Sequence, residues 1–125
     1  MSLCVIAAGK MTVLAVSAFT LSWIHSVEKV RWEEDWLVTP AGLEIDEARV
    51  KGSGAGMDPP AGAELRGGWW TYQPKIGPQA SVRLAASGAT GGGWVLCADQ
   101  ACLELGAEAG EPVQISACAG TAKSP

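Results

Sequence analysis

The sequence predicts an all-β fold, a small antiparallel sandwich or barrel of about seven to nine short strands. Short runs of apolar residues alternate with polar ones, as is typical of strands that bury one face. The 16 glycines and 7 prolines among 125 residues supply frequent turn positions between these runs. No segment of sufficient length repeats its apolar residues at the helical period, so long helices are not expected.

Length and composition favour one domain with its own core. A chain of 125 residues is long enough to bury a single core, and 48% apolar with 18% charged residues is not a disordered composition. The domain is predicted to span residues 1–116. Residues 117–125 are small and polar and are predicted to form a frayed tail.

The first half of the chain divides into five predicted strands. Residues 3–8 and 11–16 form a hairpin around Gly9-Lys10, because a central glycine disfavours one long helix. Residues 19–23 alternate clearly, and the apolar phase then slips by one residue, which places a turn or bulge at 26–29. Thr39-Pro40-Ala41-Gly42 predicts the next turn, with a return strand over 43–51.

The second half is richer in loops. Residues 52–67 contain closely spaced glycines and Pro59-Pro60, which predicts a loop of about fifteen residues. Strands are predicted at 69–72 and 81–86, followed by a hairpin of 94–97 with 102–105. Val113 and Ile115 indicate one last edge strand.

Charge argues against a nucleic-acid partner and the hydropathy pattern against a membrane span. The net charge is −4 and the nine basic residues are scattered, whereas phosphate binding needs a basic face. Apolar runs are too short for a transmembrane helix, and no basic segment precedes an apolar core as in a secretory signal. We therefore expect no nucleic acid and no transmembrane segment in this chain.

The four cysteines give information on the cellular compartment through their possible disulfide bonds. Cys97 and Cys102 flank a tetrapeptide, and if it forms a hairpin loop the two sulfurs face each other across neighbouring strands. A disulfide there indicates an oxidising compartment, and two free buried thiols are the alternative. Cys4 and Cys118 can pair only if the termini meet. Zinc is less favoured, because its remaining ligands would have to come from distant residues.

The candidate site lies around the chain's only histidine. His25 offers a switchable hydrogen bond near neutral pH, and Arg49 offers a clamp for a carboxylate. An inward Glu33 is predicted to pair with Arg49 in a buried ion pair. The predicted ligand-binding set, at strand ends and in the adjacent glycine loop, is His25, Ser26, Glu28, Glu33, Arg49, Gly54, Gly56 and Met57.

Other interpretations of the same residues remain open. An enzyme, for example a hydrolase, would use His25 with Glu28 or Glu33, provided that a carboxylate reaches the imidazole. The acidic residues of 28–47 could hold calcium, although a solvated strand face paired with basic residues is favoured. Trp69-Trp70 places one indole on each face of a strand, and an exposed one would suit a carbohydrate-binding or structural module.

Four stretches of the chain together carry a resemblance to a known family. The stretch 19–28, the pair Glu33-Glu34, the stretch 49–57 and Gly68-Trp69-Trp70 resemble an uncharacterised bacterial family, domain of unknown function 1850. The similarity covers roughly residues 19–102. Genes of that family commonly lie beside those of TAXI-type TRAP transporters, and its members look like small exported or membrane-tethered proteins. The resemblance supplies no activity.

These observations lead to one expectation of function. We expect a non-catalytic accessory or binding domain, without a cofactor or metal, that serves a TAXI-type TRAP solute transporter. Its partner would be a transporter component or a small solute. The resemblance implies a periplasmic or otherwise extracytoplasmic location.

Overall fold

Extended strands make up the regular structure of the protein. The computed structural model describes residues 2–24, 30–51, 62–86 and 93–118. Eleven strands and no helix occur there, which confirms the all-β prediction and exceeds the expected seven to nine strands. They are β1 (Ser2–Ala7), β2 (Lys10–Leu14), β3 (Ala18–Ile24), β4 (Arg31–Thr39), β5 (Gly42–Lys51), β6 (Glu64–Arg66), β7 (Trp69–Tyr72), β8 (Ser81–Leu84), β9 (Trp94–Ala98), β10 (Ala101–Leu105) and β11 (Val113–Cys118).

The strands form two antiparallel sheets that face each other as in a sandwich. One sheet has four strands in the order β2-β1-β11-β8, and the other has seven in the order β10-β9-β3-β4-β5-β7-β6. β11 was predicted as an edge strand, but it pairs with β1 on one side and β8 on the other. It also continues through Ala117 and Cys118, where the sequence predicted that the tail begins.

The core lies between the inner faces of the two sheets. The four-stranded sheet contributes Leu3, Val5 and Ile115, each almost fully buried. The seven-stranded sheet contributes Phe19, Leu21, Trp36, Val38, Leu43 and Leu96. At 25 cal/mol per Å² of buried apolar area, side chains of this size contribute roughly 1.5–3 kcal/mol each. Burial of these alternating residues therefore determines which face of each strand is inside.

A bulge in β5 explains why its inner face was hard to predict. Asp35 pairs with Glu47 but Trp36 pairs with Ile45, so Asp46 is an extra residue on β5. Leu43 and Ile45 face inward before the bulge, and Ala48 and Val50 face inward after it. The apolar residues of β5 thus change from odd to even positions. The separate slip predicted at 26–29 lies outside the described residues.

Two of the two-residue hairpins place a residue other than glycine at positive φ. Ala8-Gly9 joins β1 to β2, one residue earlier than predicted, and Asp99-Gln100 joins β9 to β10. Asp99 has φ 50° and Gln100 has φ 67°. A two-residue turn of type I′ needs this left-handed backbone at both positions, which favours Asn or Asp followed by glycine.

Replacing Gln100 with glycine is therefore expected to stabilise the protein. Gln100→Gly relieves a left-handed conformation that costs an L-residue roughly 1–2 kcal/mol, so we expect a gain of about 1 kcal/mol after the entropy of glycine is counted. Urea unfolding measures it. Gln73→Gly is the control, because Gln73 is exposed without a positive φ. The control should lose stability, and a loss in both variants would contradict the turn assignment.

Both cysteine pairs are disulfide-bonded. Cys97 and Cys102 lie opposite each other on β9 and β10, as predicted. Cys4 of β1 is bonded to Cys118 of β11, with a Cα–Cα distance of 5.9 Å and a sequence separation of 114. The second bond forms because β1 and β11 are neighbours in the four-stranded sheet. No described segment forms a helix that could span a membrane.

One strand had no signal in the sequence. β6 lies inside the loop predicted over 52–67 and consists of Glu64, Leu65 and Arg66, all exposed. Two charged residues around one leucine are too few to show an alternating pattern. β6 pairs only with β7 and closes that edge of the seven-stranded sheet.

Candidate functional site

Two members of the predicted site are described, and they are neighbours. Glu33 on β4 pairs in register with Arg49 on β5. The other six predicted residues lie outside the described part of the chain, namely His25, Ser26, Glu28, Gly54, Gly56 and Met57. Their proposed roles therefore stay predictions.

Arg49 is held by three carboxylates. Its Nη1 and Nη2 donate to the two oxygens of Asp35 at 2.8 and 3.0 Å. Nη1 also donates to Glu47 at 2.7 Å, and Nε donates to Glu33 at 3.2 Å. Asp35 further accepts a hydrogen bond of 3.0 Å from the Thr20 hydroxyl. The three carboxylates thus accept from every nitrogen of the Arg49 guanidinium. We call Glu33, Asp35, Glu47 and Arg49 the Arg49 cluster.

The cluster lies on the outer face of the seven-stranded sheet, not in the interior. Glu33 and Asp35 alternate with the inward Trp36, and Arg49 alternates with the inward Ala48 and Val50. The expected pair of Glu33 with Arg49 does form, but the two side chains are 24% and 20% exposed. The prediction that Glu33 faces inward was wrong, because the even-numbered residues of β4, such as Trp36 and Val38, face the core.

Electrostatics within the cluster favour the charged forms. Hydrogen bonds from Arg49 lower the pKa of Asp35, against the opposing effect of partial burial. The same bond to Asp35 is the largest cause that raises the pKa of Arg49. A guanidinium with its donors engaged in this way stabilises the sheet and is poorly placed to clamp a solute carboxylate.

A row of tryptophans crosses the inner face of the same sheet. Trp23 on β3 pairs with Trp32 on β4, and Val50 on β5 has Trp32 on one side and Trp70 of β7 on the other. On the far side of Trp23, the Trp94 ring of β9 is 4.7 Å away, centroid to centroid. We call Trp23, Trp32, Trp70 and Trp94 the tryptophan row.

The four indoles are only partly buried. Trp23 and Trp32 stack with ring centroids 6.0 Å apart and an angle of 15° between their planes. The Trp94 indole donates through Nε1 to the Ala85 carbonyl at 2.9 Å. Each of the four keeps some exposure to solvent, although the core residues one or two rows away are nearly inaccessible. The row therefore lies at the margin of the core.

Glu34 and Tyr72 lie one row deeper. Both flank Ala48 across β5, Glu34 from β4 and Tyr72 from β7. Burial raises the pKa of the Glu34 carboxyl, and a 3.0 Å hydrogen bond from Trp36 Nε1 partly opposes this. Burial is also the main cause that raises the pKa of Tyr72, with the charge of Glu34 second. The carboxylate and the phenol therefore interact across the small Ala48 side chain.

The raised pKa of Glu34 gives a prediction for stability. A carboxyl whose pKa is higher in the folded than in the unfolded state contributes fully at low pH, and its contribution falls as pH rises through the folded pKa. We expect Glu34→Gln to be more stable than the wild type at pH 8 and to lose that advantage at pH 4. The amide oxygen can still accept from Trp36.

Urea unfolding at the two pH values measures this effect. Glu104→Gln is a matched control, because Glu104 is an exposed acid on β10. It should show little difference at either pH. Equal responses of the two variants to pH would contradict the role of burial at Glu34.

The tryptophan row lies at the sheet end where several described strands begin or end. Ile24, Arg31, Lys51 and Gly93 border the strand ends beside the row. Of these, Ile24, Lys51 and Gly93 directly adjoin the segments 25–29, 52–61 and 87–92 in the sequence.

The row and Glu34 were not predicted from the sequence. The chain holds six tryptophans in 125 residues, which is a signal in itself. Alternation placed Trp23 on one face of its strand and Trp32 on one face of the next. Only the pairing of strands shows that the indoles align, because Trp70 and Trp94 belong to distant segments.

Trp69, on the opposite face of β7 from Trp70, differs from the row. It pairs with Lys51, whose Nζ lies 5.1 Å from its ring centroid. The prediction of one indole on each face is consistent with this register. Neither Trp69 nor Trp70 is fully exposed. Among the described residues, no group of three or more His, Cys, Asp or Glu side chains is arranged to hold a metal ion.

Comparison with known proteins identifies a family. A family model described as "Domain of unknown function (DUF1850)" matches residues 19–105. The matched range begins at the second residue of β3 and ends with β10, so it covers the seven strands of the larger sheet except Ala18. No curated protein and no solved structure matches.

Proposed function

The chain belongs to the DUF1850 family, and from that membership we propose a function outside the cytoplasm. It acts there as a non-catalytic binding domain that serves a TAXI-type TRAP solute transporter. The tryptophan row is its binding surface, and a protein component of the transporter is its partner. Gene neighbourhood of the family motivates the choice of partner.

The disulfides support the compartment. Two bonds join all the cysteines of a 125-residue chain, and such bonds persist in oxidising compartments. Cys4–Cys118 lies between two central strands, and Cys97–Cys102 lies at a sheet edge. Both sheets thus carry a covalent link, which is consistent with an extracytoplasmic location.

The tryptophan row is the observation that carries the binding function. Four partly exposed indoles in line at one sheet end keep apolar area in contact with solvent. Tryptophan is enriched where protein interfaces gain most of their affinity, because a rigid indole buries a large area at a small cost in entropy. The tryptophan row offers such rigid, partly exposed indoles, and this supports its proposed role as the binding surface.

A protein partner is favoured over a small acidic solute. The solute hypothesis gave Arg49 the role of carboxylate clamp, but its nitrogens donate to Glu33, Asp35 and Glu47. A solute carboxylate would have to displace one of these internal bonds. The enzymatic alternative has a similar difficulty, because Glu33 accepts from Arg49 and also from Arg31 at 3.4 Å.

Binding to the purified solute-binding protein of the transporter tests the proposal. We expect saturable binding by biolayer interferometry. Trp70→Ala should weaken it by about tenfold or more, as for a central interface tryptophan. Trp69→Ala is the matched control, because Trp69 is the adjacent residue on the opposite face. It should leave the affinity unchanged.

Two results would contradict the proposal. One is the absence of binding to any purified component of the transporter. The other is an equal loss of affinity in Trp69→Ala and Trp70→Ala, which would point to a general effect on β7. Thermal shifts of the isolated domain with a panel of carboxylates and sugars, without protein binding, would instead support the small-solute alternative.

A further inference from the structure

The strand β2 is an open edge of the smaller sheet. It stands first in the order β2-β1-β11-β8 and, within the described part of the chain, pairs only with β1. Lys10, Met11 and Thr12 are exposed, and Val13 and Leu14 are partly exposed. A strand at a sheet edge presents unpaired backbone N–H and C=O groups, which can pair with another extended strand. β2 is therefore a candidate surface for association.

The other edges of the two described sheets are closed or protected. Beside β8, Gln79 exchanges two backbone hydrogen bonds of 2.8 Å with Leu43 of β5, which joins the sheets there. β6 has only three residues, of which two are charged, and β10 carries Glu104 within the strand. Short length and internal charge both oppose further pairing. β2 contains neither proline nor a bulge, and its one charge, Lys10, lies next to the turn.

The hairpin between β1 and β2 determines which backbone groups face the open edge. The turn Ala8-Gly9 is closed by the pair of Ala7 with Lys10. Such a closing pair is hydrogen-bonded, and hydrogen-bonded and non-hydrogen-bonded pairs alternate along an antiparallel ladder. The even-numbered residues of β2 therefore bond to β1, whereas Met11 and Val13 direct their N–H and C=O groups away from it. Each copy thus offers two donors and two acceptors at this edge.

One antiparallel register pairs all five residues of β2 with those of a second copy. In this register Thr12 lies opposite Thr12 of the second copy, and Met11 lies opposite the second Val13. Met11 and Val13 then form hydrogen-bonded pairs on both sides of the axis, so every outward donor and acceptor is used. The arrangement has two-fold symmetry, which is the commonest symmetry of soluble homo-oligomers.

The side chains are complementary in the same register. Ile6 pairs with Met11 on the outer face of the smaller sheet, and the two are 39% and 51% exposed. The second copy would place its Val13 beside Met11 and so continue an apolar row across the interface. On the other face Thr12 meets Thr12, which is a favourable cross-strand pair, and Lys10 does not face its own counterpart. Nothing in the pairing sets like charges opposite each other.

We propose that the protein forms a homodimer in which the two β2 strands pair antiparallel about a two-fold axis at Thr12. The pairing joins the two four-stranded sheets into one continuous sheet. This association goes beyond the proposed function, because the tryptophan row belongs to the larger sheet. The strand pair supplies five residues from each copy, whereas a standard interface has roughly 20–30 a side, so the dimer is weak, with a Kd of about 10–500 µM.

Sedimentation equilibrium of the wild type tests the association. Between about 10 µM and 1 mM protein, we expect the average mass to rise from that of the monomer towards twice that value. A mass that stays monomeric up to about 1 mM would overturn the proposal.

Charge substitutions at Thr12 test the position of the axis. Thr12→Glu and Thr12→Lys each set like charges opposite one another, so each variant alone should dimerise about fivefold more weakly or worse. An equimolar mixture of the two should form a heterodimer at least about as tight as the wild-type dimer, because opposite charges then face each other. A mixture that associates no better than either variant alone would overturn the register.

A backbone variant and a matched control locate the interface on β2. Val13→Pro removes an outward N–H and no bond to β1, so an edge strand tolerates it, and it should abolish the dimer. Leu103→Glu is the control, because it adds a carboxylate at an exposed position of the edge strand β10. It should leave the Kd unchanged. A dimer that survives Val13→Pro, or that is lost in Leu103→Glu but not in Thr12→Glu, would overturn the proposal.

Discussion

Removal of the Cys4–Cys118 disulfide is expected to lower the free energy of unfolding by about 5 kcal/mol. The bond joins residues separated by 114 positions, so in the oxidised unfolded chain it closes nearly the whole sequence into a loop. Its loss restores that entropy to the unfolded state. The double variant Cys4→Ala with Cys118→Ala should therefore unfold at a much lower urea concentration than the wild type.

The other disulfide provides the matched control. Cys97 and Cys102 are separated by 5 positions, for which the same relation gives about 2 kcal/mol. Cys97→Ala with Cys102→Ala should accordingly cost less than half as much. Urea unfolding of the wild type and both double variants measures the difference. A larger loss from Cys97 and Cys102 would show that loop closure does not determine the effect.

Truncation of Arg49 is expected to cost about 2–3 kcal/mol, the second largest effect. Arg49→Met keeps the aliphatic stem but leaves Glu33, Asp35 and Glu47 facing one another without their common cation. Breaking a fully buried pair costs about 3–5 kcal/mol, and the partial exposure of this cluster reduces the figure. Arg49→Lys should lose about 1 kcal/mol, because it keeps the charge without the bidentate geometry.

The dependence of that loss on pH identifies its cause. The pKa of Asp35 is lower in the folded protein, so its contribution to stability is present above the unfolded value of about 4 and is lost as pH falls through the folded value. The difference between the wild type and Arg49→Met should therefore shrink below about pH 4. Urea unfolding across pH 2.5–7 measures it. A difference that stays constant would indicate lost packing of the arginine stem.

Local patterns were sufficient for most of the strands and for one disulfide. Period-2 alternation predicted strands such as β3, and turn residues predicted the β4–β5 hairpin at Pro40-Ala41. The facing of Cys97 and Cys102 followed from a hairpin spacing alone. These features depend on residues that are close in sequence, so the chain contains the information locally.

Only part of the candidate site could be predicted from such local patterns. The sequence suggested that Glu33 and Arg49 pair, but it could not show that Asp35 and Glu47 share the same guanidinium. The bulge at Asp46 reversed the alternation of β5, and no residue type marks such a bulge in advance. The inner and outer faces after that point were therefore undetermined until the strands were paired.

By itself, the sequence determined an antiparallel all-β fold, the pairing of Cys97 with Cys102 and the resemblance to a family of unknown function. Tertiary structure alone decided that β11 lies inside its sheet, that Cys4 meets Cys118, and that four tryptophans align above Glu34. The physical reason is the range of the interactions. Side-chain alternation and turn chemistry act between near neighbours, whereas strand order and register are set by burial of a core built from residues far apart in the chain.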